Sequence, residues 1–369
     1  RFSMSKAAEL AALIANVNNG SSLGNKNFII NGNMNISQRG TSSTGITASG
    51  YRNAPDRFRP SIGTAGTWTI SQSTDVPTGY GFSNSYKFDC TTADASLAVG
   101  DDMALQYRFE GQDVQTLRKG TSSAVPVTVS FWVKSTKTGT FILELMDNDN
   151  AREISKSYTV SSSNTWEYKT VTFEGDTTGA LDDDTARSLT VQWWLAAGTN
   201  WTSGTLNTSW ADPAQANRVV GQVNIADSTS NDWFITGAQM EIGEKATEFE
   251  HEPYDVTYRK CLRYYQRITG TAASNHYLGT LQVYASGTVF GLLAPYLAPL
   301  RIKPAVDQNG TFKFSQTGSS DTGNATIGNL AASDFGWMSG GWGGGTATAG
   351  YASGSRATEN AYLEADAEL

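Results

Sequence analysis

Two histidines, His251 and His276, are available for acid–base or nucleophilic chemistry in this chain of 369 residues. Neither accompanies a Gly-x-Ser-x-Gly sequence, which would present a serine nucleophile to a histidine base. No Cys/His cluster has the spacing of a zinc site, and no Gly-x-x-x-x-Gly-Lys-Ser/Thr phosphate loop occurs. His251 lies just before Pro253, where a side chain that hydrogen-bonds a turn is expected. The sequence therefore favours a protein that is not an enzyme.

Acidic residues offer a candidate metal site at residues 147–150, which read Asp-Asn-Asp-Asn. Alternating carboxylate and amide oxygens suit calcium, a hard ion that takes six to eight oxygen ligands. However, the cluster lacks the glycine and the distal glutamate of an EF-hand loop, and a hairpin turn is expected directly after a strand. Asp147 and Asp149 therefore have two interpretations, a structural turn and a calcium site. No other cofactor is expected.

Tryptophans are the stronger signal for ligand binding. Trp201 lies in a polar segment, Gly198–Gly204, and has no obvious core partner in the sequence. Flat rings can stack on the apolar faces of sugars while neighbouring Asn and Thr side chains hydrogen-bond hydroxyl groups. Simple packing of the ring into the loop is the alternative, because large aromatic side chains bury wherever space allows. A Gly-rich loop predicted over residues 335–350 carries two more tryptophans. The candidate glycan contacts are Asn200, Trp201, Trp210, Trp337 and Trp342.

The elements that must position these residues are short strands. Between residues 25 and 252, aromatic and β-branched segments alternate with polar turns, which predicts an all-β jelly-roll sandwich. In Val127–Val133 the odd-numbered positions are apolar and should face the core. Trp193 and Trp194 must face opposite sides of their strand. The predicted strands are Thr67–Ser71, Ser85–Cys90, Ala104–Phe109, Val127–Val133, Thr140–Met146, Glu167–Phe173, Ser188–Leu195 and Asp232–Ile242.

Residues 1–24 are predicted to form a short N-terminal helix. Its apolar residues recur in steps of three and four, and they are Ala7, Leu10, Ile14 and Val17. A helix of about 15 residues is marginal alone in water, so this stripe needs a partner. It either docks on the β-domain or joins copies of itself in a coiled coil, most simply a homotrimer.

A second helix, linking two domains, is predicted over residues 253–269, because Pro253 suits the first turn of a helix. Beyond it, residues 270–369 are predicted to form a smaller C-terminal β-domain. Its expected strands are Tyr277–Tyr284, Gly287–Leu293, Thr311–Phe314 and Ala361–Ala367.

Charge and hydropathy exclude two classes of partner. The formal net charge is -8 and the pI is near 4.9, so the chain lacks the basic surface from which nucleic-acid binding draws most of its affinity. No apolar run approaches the roughly 20 residues that a membrane-spanning helix requires. We therefore expect neither nucleic-acid binding nor membrane insertion.

Five segments together resemble a family of phage virion proteins, the tail-fibre and other fibre components. Residues 27–40 (NFIINGNMNISQRG) and 54–58 (APDRF) are similar to the opening of their carbohydrate-binding-module-like sandwich. Residues 237–251 (GAQMEIGEKATEFEH) resemble its closing strand. Residues 261–265 (CLRYY) and 361–369 (AYLEADAEL) resemble the following helix and the terminal strand. Glu252 stands where a basic residue is common in this pattern.

The resemblance implies a virion location and assembly with other virion proteins. Our primary hypothesis is a non-catalytic tail-fibre or receptor-binding subunit that contacts a polysaccharide on the host cell surface. One alternative is an architectural virion protein, such as a head fibre, a decoration protein or a tail scaffold, that contacts only other virion subunits. A second alternative is a polysaccharide depolymerase, because sequence alone cannot show whether two carboxylates lie at the separation that glycoside hydrolysis needs.

Overall fold

The computed structural model describes residues 26–269, 276–285, 288–316, 324–332, 337–343, 352–357 and 360–369. It divides into two compact units, one ending at Thr257 and including Leu369, the other running from Tyr258 to Glu368. The predicted N-terminal helix, with Ala7, Leu10, Ile14 and Val17, lies outside the described residues, so its oligomeric role stays a prediction. Within the described residues, no helix is long and apolar enough to span a bilayer.

The first unit is built from one large antiparallel sheet. Along the sheet the strand order is β7-β6-β9-β4-β2-β3-β10-β5-β8, with β1 paired to β2. The sheet folds over a shared apolar core, which confirms the predicted all-β jelly-roll sandwich. The strands are β1 (Ser42–Ala48), β2 (Phe58–Ser73), β3 (Ser85–Thr92), β4 (Asp102–Glu110), β5 (Val127–Ser135), β6 (Gly139–Asp147), β7 (Arg152–Val160), β8 (Glu167–Phe173), β9 (Arg187–Ala197) and β10 (Asp232–Ile242).

All eight strands predicted for this unit are present. The sequence did not indicate β1 or β7, because β1 is polar on both faces and β7 carries five charged or hydroxyl side chains in its first six residues. Both strands form by pairing with long neighbours, β1 with β2 and β7 with β6.

Alternation along β5 separates two faces of the sheet. Val129, Phe131 and Val133 are fully buried in the main core, whereas Trp132 lies between them on the opposite face and is half-buried. On β9, Trp193 belongs to the main core and Trp194 to a separate small cluster. Both observations confirm the period-two prediction, since successive side chains of a strand point to opposite sides.

Four 3₁₀ helices and two α-helices complete the described secondary structure. Helix α1 spans Thr199–Thr202, so Trp201 lies on a helical turn rather than in the predicted open loop. Helix α2 spans Tyr254–Leu262. The 3₁₀ helices are Gly111–Asp113, Gln115–Leu117, Gln215–Asn217 and Ile225–Asp227.

The predicted linking helix over residues 253–269 is wrong in its second half, because α2 ends at Leu262 and strand β11 (Tyr265–Thr269) follows. The Gln266 side chain donates a hydrogen bond to the carbonyl of Leu262, which satisfies one of the last helical carbonyls. Strand β11 pairs along its whole length with β19 (Tyr362–Asp366). This partner lies almost 100 residues away in the sequence, so local periodicity could not reveal it.

The second unit contains a three-stranded sheet, β11-β19-β14, and a closed six-stranded barrel, β12-β13-β17-β16-β15-β18. This unit confirms the prediction of a second, smaller β-structure. It begins at Tyr258, before the predicted boundary at residue 270. The predicted Gly-rich loop is wrong at its centre, because Trp337 and Trp342 lie on a strand, β17 (Trp337–Gly343). The strands not yet bounded are β12 (His276–Ala285), β13 (Thr288–Pro295), β14 (Ala305–Asn309), β15 (Phe312–Gln316), β16 (Asn324–Ala332) and β18 (Ala352–Ala357).

Candidate functional site

An open cleft of about 550 Å³ lies on the first unit, on the face of the sheet opposite the main core. Strands β5, β8 and β10 supply Trp132, Tyr168 and Gly237. Two connections close it, the one between β2 and β3 and the one after β10. We call this site the aromatic cleft, and its lining residues are Gly79, Tyr80, Phe82, Trp132, Tyr168, Gly237, Ala246, Thr247, Glu248, Phe249 and His251.

Three rings form a row along one side of the cleft. The ring centroids of Tyr80 and Trp132 are 4.3 Å apart, and those of Trp132 and Tyr168 are 5.4 Å apart. Tyr80 is 54% exposed and Tyr168 is 44% exposed, which is unusual for large aromatic side chains. Trp132 and Tyr168 are direct cross-strand partners on β5 and β8, so the backbone register fixes their proximity. The row is therefore a preformed apolar platform open to solvent.

A second aromatic group forms the floor and far wall. The Phe82 ring lies 5.1 Å from the Phe249 ring and 5.1 Å from the His251 ring, measured between centroids. The His251 Nε2 atom is 3.2 Å from the carbonyl oxygen of Tyr80, which ties this wall to the exposed row. This contact joins His251 to a loop far away in the sequence, so the local turn hydrogen bond expected before Pro253 stays a prediction.

Gly237 makes room for the floor. Its φ is +62°, and a β-carbon at this position would lie 2.6 Å from the Phe82 ring. The register between β10 and β5 shifts between Thr236 and Gln239, so the glycine lies at an irregularity of the strand. A residue without a side chain is required here both by the left-handed backbone and by the approach of Phe82.

The charge of the cleft is low. The eleven lining residues belong to the described part of the chain. Among them Glu248 carries the single carboxylate, and none is Lys or Arg. Lys26 lies nearby, where its Nζ donates hydrogen bonds to the Thr247 hydroxyl and to the Glu248 carbonyl. An apolar platform edged by a few hydroxyl, carboxylate and imidazole groups is the usual composition of a small-molecule or sugar site.

Three of the predicted glycan contacts, Asn200, Trp201 and Trp210, lie elsewhere in the first unit. Trp201 packs on Trp194 at 5.3 Å between ring centroids, and the Arg218 guanidinium lies 5.0 Å from its ring. Trp201 therefore has packing partners that the sequence did not show, while its neighbour Asn200 is exposed on α1. Trp210 packs against the main core and donates from Nε1 to the carbonyl of Glu174. None of these three lines the aromatic cleft.

A buried polar network underlies Trp201. The Glu144 carboxylate accepts hydrogen bonds from Arg218 Nε at 2.6 Å and Nη2 at 2.9 Å, and from Trp194 Nε1 at 2.8 Å. Nearby, Glu153 accepts a hydrogen bond from Asn207. Burial, together with the negative charge of Glu144, raises the pKa of Glu153 to about 7. These bonds attach the segment after α1, which contains Asn207 and Arg218, to strands β6 and β7. The network therefore stabilises the fold.

The structure favours the turn interpretation of Asp147 and Asp149. Asp147 is fully buried, forms an ion pair with Lys119 at 2.5 Å, and accepts hydrogen bonds from the backbone N–H groups of Asp149 and Asn150. Asp149 accepts the backbone N–H of Asp182. Among the described residues, no group of three or more His, Cys, Asp and Glu side chains is arranged to hold a metal ion.

The side chains of Trp337 and Trp342 belong to the part of the second unit whose side chains the structure does not describe, so their glycan contact stays a prediction. Sequence reasoning missed Tyr80, Trp132 and Tyr168. A signal for two of them exists, because Trp132 alternates with the apolar Phe131 and Val133 on β5, and Tyr168 lies on the face of β8 opposite to that of Val171 and Phe173. The approach of Tyr80 from a loop has no such signal.

Comparisons with known proteins give distant likenesses. No protein-family model matches the chain, and no curated protein matches it. A putative sugar binding protein from Bacteroides thetaiotaomicron is similar at 11% identity and a TM-score of 0.32, covering 59% of this chain and 100% of that one. The enzymatically active domain of tailspike protein 4 from bacteriophage CBA120 is similar at 12% identity and a TM-score of 0.31, covering 59% of this chain and 22% of that one. TmCBM61, solved with β-1,4-galactotriose, is similar at 11% identity and a TM-score of 0.27, covering 50% and 88%.

Proposed function

We propose that this chain is a non-catalytic subunit of a phage virion fibre that binds a polysaccharide on the host cell surface through the aromatic cleft. The observation that carries the proposal is the row of Tyr80, Trp132 and Tyr168, held at ring distances of 4.3 and 5.4 Å with two of its rings about half exposed. Exposed rings on a rigid sheet present apolar area at low cost in side-chain entropy. Sugar rings have apolar faces that such a platform fits.

The charge of the cleft supports binding rather than cleavage. Glycoside hydrolysis in most families uses two carboxyl groups on opposite sides of the scissile bond. Glu248 is a single carboxylate among the described lining residues, with no second one to act as its partner.

A virion location is supported by the resemblance of residues 27–40, 237–251 and 361–369 to phage fibre proteins. Assembly as a homotrimer with other virion proteins is part of the same proposal, and it draws on the apolar stripe of the N-terminal segment. Labelling intact particles with antibody to this chain tests the location. Light scattering of the intact chain tests the trimer, and a clean monomer overturns it.

Incubation with purified host surface polysaccharide tests the function. We expect the polymer to be retained by immobilised chain and to keep its length, measured by size-exclusion chromatography. Shortened polymer overturns the non-catalytic assignment and favours the depolymerase. If the immobilised chain retains no surface polysaccharide from any host of the phage, the architectural alternative is favoured. In that alternative the cleft contacts other virion subunits.

A further inference from the structure

The aromatic cleft continues along the sheet into a second row of side chains. Strands β5 and β8 pair Trp132 with Tyr168 and Val133 with Glu167, so the next pair in this register is Lys134 with Trp166. A step of two residues returns to the same face of a sheet after about 6.5 to 7 Å. Trp166 therefore lies on the same face as Tyr168, one row further along.

The Trp166 ring is held in a fixed position. Its Nε1 donates a hydrogen bond to Asp75 Oδ1 at 2.9 Å, and its ring meets the buried Phe234 ring edge-on at 6.1 Å between centroids. The Lys134 ammonium lies 4.4 Å from the centre of the Phe234 ring and 5.8 Å from that of Trp166. Trp166 keeps part of its surface exposed. An oriented, half-exposed ring needs no further ordering when a ligand binds.

The cations of this second row already have carboxylate partners. Lys134 forms an ion pair with Asp75. Lys87 forms ion pairs with Asp232 at 3.2 Å and with Asp89 at 3.8 Å. An acidic sugar would have to displace one of these carboxylates to find a positive charge, since acidic groups are recognised through Arg and Lys. The face therefore suits uncharged sugars.

We infer that Trp166 forms a second subsite, so that the face binds an extended, uncharged polysaccharide chain, with one ring on the Tyr80–Trp132–Tyr168 row and a later ring on Trp166. The inference rests on the proposed function and specifies its ligand. The loop between β2 and β3 borders both subsites, because Asp75 contacts Trp166 and Tyr80 contacts Trp132. A chain lying along β5 and β8 would pass beside this loop and meet both tryptophans.

The test uses a panel of neutral and uronic-acid polysaccharides to find a polymer that the chain binds. Oligosaccharides of one to six rings are then cut from that polymer and titrated by calorimetry. We expect the affinity of the wild-type chain to rise about tenfold between the shortest fragments that bind and the longest. In Trp166→Ala this rise disappears and short-fragment affinity stays unchanged, whereas Tyr168→Ala weakens fragments of every length.

Trp166→Phe is the matched control, because it keeps a flat ring while it loses the hydrogen bond to Asp75 and only part of the ring area. This variant should retain most of the rise in affinity with fragment length. Thermal unfolding of both variants checks that the sheet is intact. The inference is overturned if Trp166→Ala binds long fragments as tightly as wild type, or if uronic-acid polymers bind more tightly than neutral ones. If no polysaccharide binds the wild-type chain at all, the proposed function itself fails, and this inference fails with it.

Discussion

Trp132 and Tyr168 lie directly opposite each other on neighbouring antiparallel strands, with their ring centroids 5.4 Å apart on the solvent side of the sheet. Because the strand register brings them together, the platform exists before any ligand arrives. Truncating the exposed ring should therefore remove contact area without disturbing the fold. We expect Tyr168→Ala to weaken polysaccharide binding by about 1–2 kcal/mol, or roughly 5- to 30-fold, in titration calorimetry.

Tyr254→Ala is the matched control for this change. Tyr254 is 64% exposed, lies on α2 and is not among the residues that line the aromatic cleft. Its replacement should leave affinity within experimental error of wild type. Equal losses in the two variants would show that binding does not occur at the cleft.

Gly237 is expected to be essential to the shape of the cleft. Gly237→Ala adds a methyl group 2.6 Å from the Phe82 ring in a backbone with φ of +62°. Left-handed backbone costs an alanine about 1–2 kcal/mol, and displacement of the ring adds to this cost. We expect a loss of polysaccharide affinity together with a loss of more than about 2 kcal/mol in the free energy of unfolding, measured in urea.

Gly45→Ala separates the two effects. Gly45 has nearly the same backbone, with φ of +68°, but a β-carbon there meets nothing within 4 Å. The variant should lose only the backbone cost and should keep full affinity. A similar loss of affinity in both variants would contradict the role of the Phe82 contact.

Glu153 should make the stability of the chain depend on pH. Burial and the neighbouring Glu144 raise its pKa to about 7 in the folded state. Between the ordinary pKa of about 4.5 and pH 7, the unfolded chain loses this proton while the folded chain keeps it, so stability falls as pH rises through this window. We expect Glu153→Gln to gain stability relative to wild type at pH 8 and much less at pH 4.5, in urea unfolding.

Glu167→Gln should show the opposite sign. Burial opposes ionisation of this group, but hydrogen bonds from Lys169 and from the backbone of Ser161 and Ser162 lower its pKa. Its contribution to stability is present above the ordinary pKa and is lost as the pH falls through the lowered one. The variant should therefore lose stability at pH 8 and approach wild type in acid. The same pH trend in both variants would contradict these assignments.

Trp201 is expected to act in stability rather than in recognition. Its ring packs on Trp194, and the Arg218 guanidinium lies over both rings. Trp201→Ala should lower the free energy of unfolding by about 1–3 kcal/mol, since a half-buried aromatic side chain is removed. Polysaccharide affinity should not change. Loss of affinity without loss of stability would restore the glycan contact that the sequence suggested for Trp201.

The site was harder to predict than the strands. Apolar alternation marks β5 because Val129, Phe131 and Val133 all face the core, and such patterns are local. The glycan contact predicted at Trp201 came from its polar neighbours in sequence, whereas its packing partners Trp194 and Arg218 come from other segments. Contacts between distant segments also explain why the prediction failed at β11. Its sequence has a helix-like pattern, but it forms a strand because Tyr362–Asp366 pairs with it.

The two-residue period of a strand depends only on neighbouring residues, so the sequence alone predicts the all-β class, eight of the ten strands of the first unit and the outward positions of Trp132 and Tyr168. Which outward rings meet depends on the tertiary structure. Tyr80 reaches Trp132 from the connection between β2 and β3, and Gly237 admits Phe82, through contacts between residues more than 50 positions apart. Strand order and register set these contacts, and neither is encoded within a single segment.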